Sequence, residues 1–290
     1  MDAGLFKILA SFSFATGACI ASFLNVVIWR VPRGESIDHP PSHCPKCGAA
    51  IRWWQNIPIL SWLALRGKCA GCKASISPRY PLVELLGGVL FLAAFLHFDA
   101  FSVIHPEWDL ALIFELLVWW IWISLMIVGS FIDFDHKLLP DFVTVGGMVL
   151  GCARGVFASI VGMIEAKSCA FSLSAFAPLL MSLLGLAFGF GLLWLVRSLG
   201  SKAFKREAMG LGDVFLMGAV GALFGPVAVL MTLILSSFFG SVAGVVMMLV
   251  ARVKPGRYVE IPYGPYICLG CLSWMFYGRE ILAWYMNIFR

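Results

Sequence analysis

Two aspartates draw attention by their placement. Asp133 lies in Ser130-Phe131-Ile132-Asp133-Phe134-Asp135-His136, and Asp213 ends Met209-Gly210-Leu211-Gly212-Asp213, each where a long apolar segment meets its flanking loop. An ionisable group at the edge of a membrane span is costly to keep and marks a functional site. Two carboxylates held close together can share one proton. One then activates water while the other protonates a departing nitrogen, which is the chemistry of peptide-bond hydrolysis. Gly210 and Gly212 would let another backbone approach closely. Each acid also has a plain structural explanation. Asp213 reads equally well as the N-cap of the apolar run that follows, and Asp133 as a residue at the C-terminal end of a helix. Asp135 and Asp141 compete with Asp133, and spacing alone does not choose among them. Asp141 follows Pro140 and opens the next apolar run, as a cap would.

The segments that must position these acids are apolar. Of 290 residues 61% are hydrophobic and 13% charged, with a mean hydropathy of +0.92, outside the range of soluble domains. The expected fold is an all-α polytopic membrane protein. Eight apolar runs, at 5–28, 82–98, 110–132, 142–164, 176–196, 214–223, 227–250 and 266–289, approach the roughly 20 residues a crossing helix requires. The run at 214–223 is short and follows a Gly-rich turn, which suits a tilted or partly re-entrant helix. The first run carries only Lys7 as a basic flank and no small-residue cleavage site before Arg30, so it reads as a retained span.

Sixteen of the 21 Lys and Arg fall in four regions, 30–79, Lys137, 197–206 and 252–257, which eight spans would place on one side. The positive-inside rule makes that side cytoplasmic and puts both aspartates at it. The net charge of +5 follows from this asymmetry and calls for no nucleic-acid partner; the basic rim can also attract anionic membrane lipids.

Three parts are expected: a first transmembrane helix at 1–29, a polar cytoplasmic insert at 30–81, and a transmembrane core at 82–290. The insert holds Cys44-Pro45-Lys46-Cys47 and Cys69-Ala70-Gly71-Cys72. Two such pairs at this separation match a tetrathiolate zinc site, and a reducing compartment favours metal over disulfides. Four thiolates fill the coordination sphere, so the zinc would be structural and would supply folding energy to a loop with little apolar core. Cys19, Cys152, Cys169, Cys268 and Cys271 lie in or beside apolar segments and read as small packing residues.

With these residues in view, the chain resembles the bacterial type IV prepilin peptidase family, the bifunctional leader peptidases and N-methyltransferases of pili and type II secretion. The resemblance rests on Ser22-Phe23-Leu24-Asn25-Val26-Val27-Ile28 with Arg30 and Pro32, both cysteine pairs, Asn56-Ile57-Pro58, Arg66-Gly67-Lys68-Cys69, and Arg79-Tyr80-Pro81-Leu82-Val83-Glu84. It continues through Ile132-Asp133 with Leu139-Pro140-Asp141, Gly210-Leu211-Gly212-Asp213, and Pro262-Tyr263-Gly264-Pro265. It implies Asp133 and Asp213 as the catalytic pair, with Asn25, Glu84, Gly210 and Gly212 supporting or positioning. It further implies prepilin and pseudopilin substrates with basic leaders, cleavage after a glycine, and methylation of the new N-terminus by S-adenosylmethionine in the inner membrane. Glu84, in the family's Pro-x-x-Glu, would pair with the new α-amino group or the leader's charge, or equally with Arg79. No Gly-rich nucleotide loop is visible, so the methyl donor's site is not assigned.

Two positions depart from the family pattern. Ala21 stands where many relatives have Gly, and Phe215 where many have Lys, which removes a cation near the second aspartate. The competing readings are a peptidase that has lost methyl transfer, and an ion-coupled transporter or assembly scaffold. A transporter would show internal repeats or broken helices around a midplane site, whereas these acids map to one face.

Overall fold

In a bilayer every backbone N–H and C=O must find its partner inside the segment, so apolar runs of this length become helices. The computed structural model describes residues 3–102, 110–165, 175–205, 207, 209–250 and 261–288. These form α1 (Ala3–Arg30), α2 (Leu60–Ala64), α3 (Arg79–Ser102), α4 (Leu110–His136), α5 (Asp141–Glu165), α6 (Ala177–Phe204), α7 (Leu211–Val250) and α8 (Gly264–Ile288). Among the described residues, β structure is limited to two isolated antiparallel bridges in the insert. Cys169 and the basic residues Arg206, Arg252, Lys254 and Arg257 lie outside the described residues.

Among the described residues the eight expected apolar runs are helical, and six helices, α1 and α3 to α7, are long and apolar enough to cross a membrane. The chain is a multi-pass membrane protein. The runs at 214–223 and 227–250 are two helical stretches that meet at Gly225 and are counted together as α7, and α8, which carries Arg279 and Glu280, is not among the six.

The chain divides into two compact units, Met1–Val128 and Gly129–Arg290. In the first, α1 and α3 cross where both are lined by small residues. A Cβ on Gly87 would fall 2.5 Å from the Ala21 methyl, so Ala21 fills a close crossing that tolerates a methyl but little more. Trp120 of α4 donates its indole N–H to the Phe91 carbonyl at 3.2 Å and stacks on the Phe91 ring.

In the second unit, α7 breaks at Gly225 (φ 81°, ψ 179°), a conformation that favours glycine, immediately before Pro226. A proline inside a helix strips the carbonyl four residues earlier of its donor, and bilayer core offers no water in its place. Neighbouring helices supply the donors instead. Ser182 Oγ of α6 reaches the Ala222 carbonyl at 2.8 Å, and Arg154 Nη1 of α5 donates to the Leu223 carbonyl at 2.7 Å. Gly185 and Gly221 bring α6 and α7 into backbone contact beside the break. The two apolar runs read in the sequence are thus two helical stretches joined at a kink whose freed carbonyls are satisfied.

Candidate active site

Burial separates the aspartates that spacing could not. Asp133, three residues from the end of α4, is 6% exposed, and Asp213, in the first turn of α7, is 8% exposed. Asp135 and Asp141 are exposed. Asp141 is the first residue of α5, where its charge complements the helix N-terminus.

Asp133 is held by the start of α8. The Gly264 N–H donates to Asp133 Oδ2 at 3.0 Å, so the carboxylate sits on an orphan amide at the positive end of a helix. The Gly210 backbone N–H is directed at the Asp213 carboxylate, and the Asp133 charge is felt at Asp213. Both acids also act electrostatically on Cys268, buried in α8. Two buried acids coupled in this way at helix ends can hold and exchange a proton over a bound water or amide.

Leu139 organises the surroundings. A Cβ on Gly212 would lie 2.8 Å from Leu139 Cβ, and one on Gly264 would lie 3.3 Å from Leu139 Cδ1, so this one side chain wedges between the glycines beside each acid. Sequence reasoning gives Gly264 and Leu139 no role of their own; a glycine between Tyr263 and Pro265 at a helix start is the signal that could have found this close approach. A methyl added at Gly264 would stand 2.7 Å from Asp133 Oδ2. Gly264→Ala is therefore expected to displace the carboxylate and lower turnover by about 10- to 100-fold, the rate equivalent of an overpacking cost of about 1–3 kcal/mol, with insertion into membranes unchanged. A variant with wild-type turnover would show that the contact does not position Asp133.

The substitutions noted in the sequence have local accounts. Phe215, in place of a lysine, packs edge-on against Phe190 of α6 at 5.5 Å between ring centroids. Cys268 and Cys271 are buried in α8, as packing residues would be.

Asn25 and Glu84 lie in the first unit and brace it. Asn25 Nδ2 donates to the Tyr80 carbonyl at 3.2 Å, tying α1 to the start of α3. Glu84, 8% exposed, accepts the Ile59 N–H on Oε2 at 2.7 Å. Ile59 has φ 62°, a left-handed conformation that a β-branched residue adopts only under constraint. Glu84→Ala is expected to free this turn, destabilising the insert locally by about 1.5–3 kcal/mol, the value of a hydrogen bond to a charged acceptor. Faster amide exchange over residues 57–66 is the readout, and unchanged exchange would refute the brace.

The four insert cysteines converge. Their sulfurs all lie within 4.8 Å of one another, with Cys44 Sγ 3.9 Å from Cys72 Sγ. A tetrahedron with Zn–S near 2.3 Å puts its sulfurs roughly 3.8 Å apart, so the cluster fits zinc and is too open for a disulfide. Each pair sits on the same kind of knuckle. The Cys44 N–H bonds to the Ala49 carbonyl at 2.9 Å beside the His43–Ala50 bridge, and the Cys69 N–H bonds to the Ala74 carbonyl at 2.8 Å beside the Lys68–Ser75 bridge. Backbone N–H groups of Lys46 and Cys47 lower the Cys44 thiol to about 6. Cys47, despite the opposing Ala49 N–H, is pushed up to about 11 by the Cys72 and Cys44 sulfurs beside it.

Fold and site together define a polytopic membrane protein with a buried acid pair at its helix ends and a thiolate cluster in a polar insert. Residues 15–98 match the model of the bacterial peptidase A24 N-terminal domain, and residues 120–245 that of the type IV leader peptidase family. The chain is 42% identical to a prepilin leader peptidase/N-methyltransferase of Myxococcus xanthus, over 83% of this chain and 64% of that protein. It is 35% identical to the protein of the same name from Stutzerimonas stutzeri, covering 94% of this chain and 92% of the relative. The corresponding figures for the Legionella pneumophila protein are 33%, 98% and 95%. This chain belongs to the type IV leader peptidase family. No solved structure matches it.

Proposed function

We propose that this protein is a membrane aspartyl endopeptidase that removes the basic leader from type IV prepilins and type II pseudopilins, then methylates the new N-terminal residue. The observation that carries the hydrolytic reading is the pair of buried carboxylates at helix ends, Asp133 on the Gly264 amide and Asp213 within reach of its charge. One acid, ionised, takes a proton from water as its oxygen attacks the scissile carbonyl carbon. The other, protonated, gives its proton to the leaving nitrogen as the C–N bond breaks. The Gly264 N–H fixes the orientation of Asp133, and Gly210, Gly212 and Leu139 set the position of Asp213. Asn25 and Glu84 hold the first unit in shape.

A prepilin is an apolar helix with a basic leader on its cytoplasmic side, so its scissile bond enters the bilayer at the depth of acids that end membrane helices. The distribution of basic residues supports placement in the bacterial inner membrane with the insert and active site facing the cytoplasm. Cys44, Cys47, Cys69 and Cys72 would hold one structural zinc. S-adenosylmethionine supplies a methyl group to the neutral α-amine: an N–C bond forms, the S–C bond breaks with its electrons left on sulfur, and the amine's proton passes to water.

The test is mass spectrometry of a prepilin incubated with the purified protein in lipid, with and without S-adenosylmethionine. Loss of the leader plus one donor-dependent methyl on the new N-terminus is expected. Cleavage without the methyl would remove the transferase half, and no cleavage of a well-matched prepilin would overturn the reading.

A further inference from the structure

On the insert, Trp53 is 77% exposed, Leu60 65% and Leu63 58%, and Trp54 is exposed beside them. Apolar side chains gathered this way on one short segment mark an interaction surface. We infer that this surface is a membrane anchor: α2 lies along the headgroup boundary of the bilayer, with Leu60 and Leu63 among the acyl chains and Trp53 and Trp54 at the interface, against anionic lipid. Only the crossing of α1 and α3 is required, so the anchor stands or falls apart from the hydrolytic and methyl-transfer readings.

The five residues of α2 have two sides. Trp62 turns into the insert: its indole N–H donates to the Ile76 carbonyl at 3.2 Å, and its ring lies against Gly67, where an added Cβ would stand 2.9 Å from Cζ2. Leu60 and Leu63, three residues apart, share the opposite face.

What covers that face follows from its depth. The Ile59 N–H, one residue before α2, is held by Glu84 Oε2 at 2.7 Å. Glu84 is the sixth residue of α3 and belongs to its membrane-spanning part, Arg79–Phe98. Helical side chains lean toward the N-terminus, so Glu84 reaches back over the turn that precedes it. The start of α2 is thereby tied within the first two turns of a crossing helix. At that level Leu82 and Leu85 are the first exposed leucines of α3, and Leu60 and Leu63 continue their lipid-facing surface. A protein partner would have to reach the same face through the headgroups, whereas lipid is already there.

The neighbouring charge has the sign that this occupant needs. Residues 51–68 carry Arg52, Arg66 and Lys68 and no acid, and anionic headgroups attract such a cluster. The Arg52 guanidinium lies 5.2 Å from the Trp54 ring centroid, and the Trp53 and Trp54 rings meet edge to face at 5.5 Å. Tryptophan paired with arginine suits the interface, the ring resting at headgroup level while the cation turns to phosphate. The last turn of α1 repeats the pairing, with the Arg33 guanidinium 3.6 Å over the ring of exposed Trp29.

The experiment uses the full-length protein in nanodiscs of phosphatidylcholine and phosphatidylglycerol, with photoreactive p-benzoylphenylalanine introduced in place of Leu63. The same residue in place of Val89, exposed on α3, gives the reference for lipid contact. Intact-protein mass spectrometry after irradiation is expected to show an added phospholipid at both positions. A cross-link from position 63 to a second copy or to an added prepilin, or no lipid adduct there while position 89 forms one, overturns the anchor. In a second arm, Leu63→Asp sets a charge against the acyl chains and is expected to speed amide exchange over residues 59–65 by about 10-fold or more, as release of a locally docked segment does. Exchange in the wild-type protein should also quicken when phosphatidylglycerol is left out, an effect that a purely internal packing role would not produce. Zinc content separates release of α2 from unfolding of the insert, and Leu63→Ser replaces the aspartate variant should that one lose its metal. Exchange that neither substitution nor lipid composition alters overturns the anchor.

Discussion

Asp133→Asn and Asp213→Asn are each expected to abolish leader cleavage, lowering the rate by about 10³-fold or more, because one member of the proposed acid–base pair then loses its proton chemistry. Asparagine preserves shape, and its side-chain oxygen can still accept the Gly264 N–H at position 133, so the variant keeps the bond that fixes the start of α8. The double variant should be no slower than either single one, because the two groups act as a unit. Mass spectrometry of the prepilin product measures the loss, and unchanged zinc content shows that the rest of the molecule is intact. Asp135→Asn, at an exposed position beside the pair, should retain most activity. Substantial cleavage by either buried-site variant, or a dead Asp135 variant beside an active Asp133 one, would break the assignment.

How far these acids could be read from the sequence depends on what kind of constraint marks them. Long apolar runs are a strong and local signal, and each became a helix. The thiolate cluster was equally legible, because two Cys-x-x-Cys pairs specify a geometry by themselves. Spacing left Asp133 and Asp135 open, and only the resemblance favoured Asp133. Two residues apart on one helix, they differ in which face each presents, and that is decided by the start of α8 some 130 residues later, where the Gly264 amide meets Asp133. Leu139 was invisible for the same reason, since its role lies in contacts with Gly212 and Gly264 rather than in any chemistry of its own. The two runs on either side of Gly225-Pro226 were legible, because a glycine followed by a proline interrupts a helix, and the backbone breaks there. Glu84, which its motif leaves equally open to pairing with substrate or with Arg79, also accepts the N–H of the strained turn at Ile59, a contact that no motif announces.

Removal of the metal from the insert carries the second large effect. The segment between α1 and α3 has few groups with which to hold itself together: Trp53, Trp54, Leu60 and Leu63 are exposed, and its α-helix α2 is only five residues long. The two knuckles fix the backbone only locally, so closing one on the other falls to the sulfurs. Without a cation, four thiol groups within 4.8 Å resist ionising together, as the raised Cys47 thiol shows. Binding of a divalent ion must therefore expel protons, Cys47's among them, and affinity should fall as the pH is lowered. The purified protein is expected to contain about one zinc per chain, and the Cys44→Ser, Cys69→Ser double variant to contain none, because two thiolates do not hold a structural site. In that variant the insert should become sensitive to limited proteolysis between the two cysteine pairs, because the cluster holds the two knuckles together. The acid pair, in a separate compact unit, has no ligand in the cluster, so the variant should remain inserted in the membrane. Unchanged zinc content in the double variant would rule out the cluster as the metal site. A zinc-free protein with a protease-resistant insert would show instead that the insert folds without it.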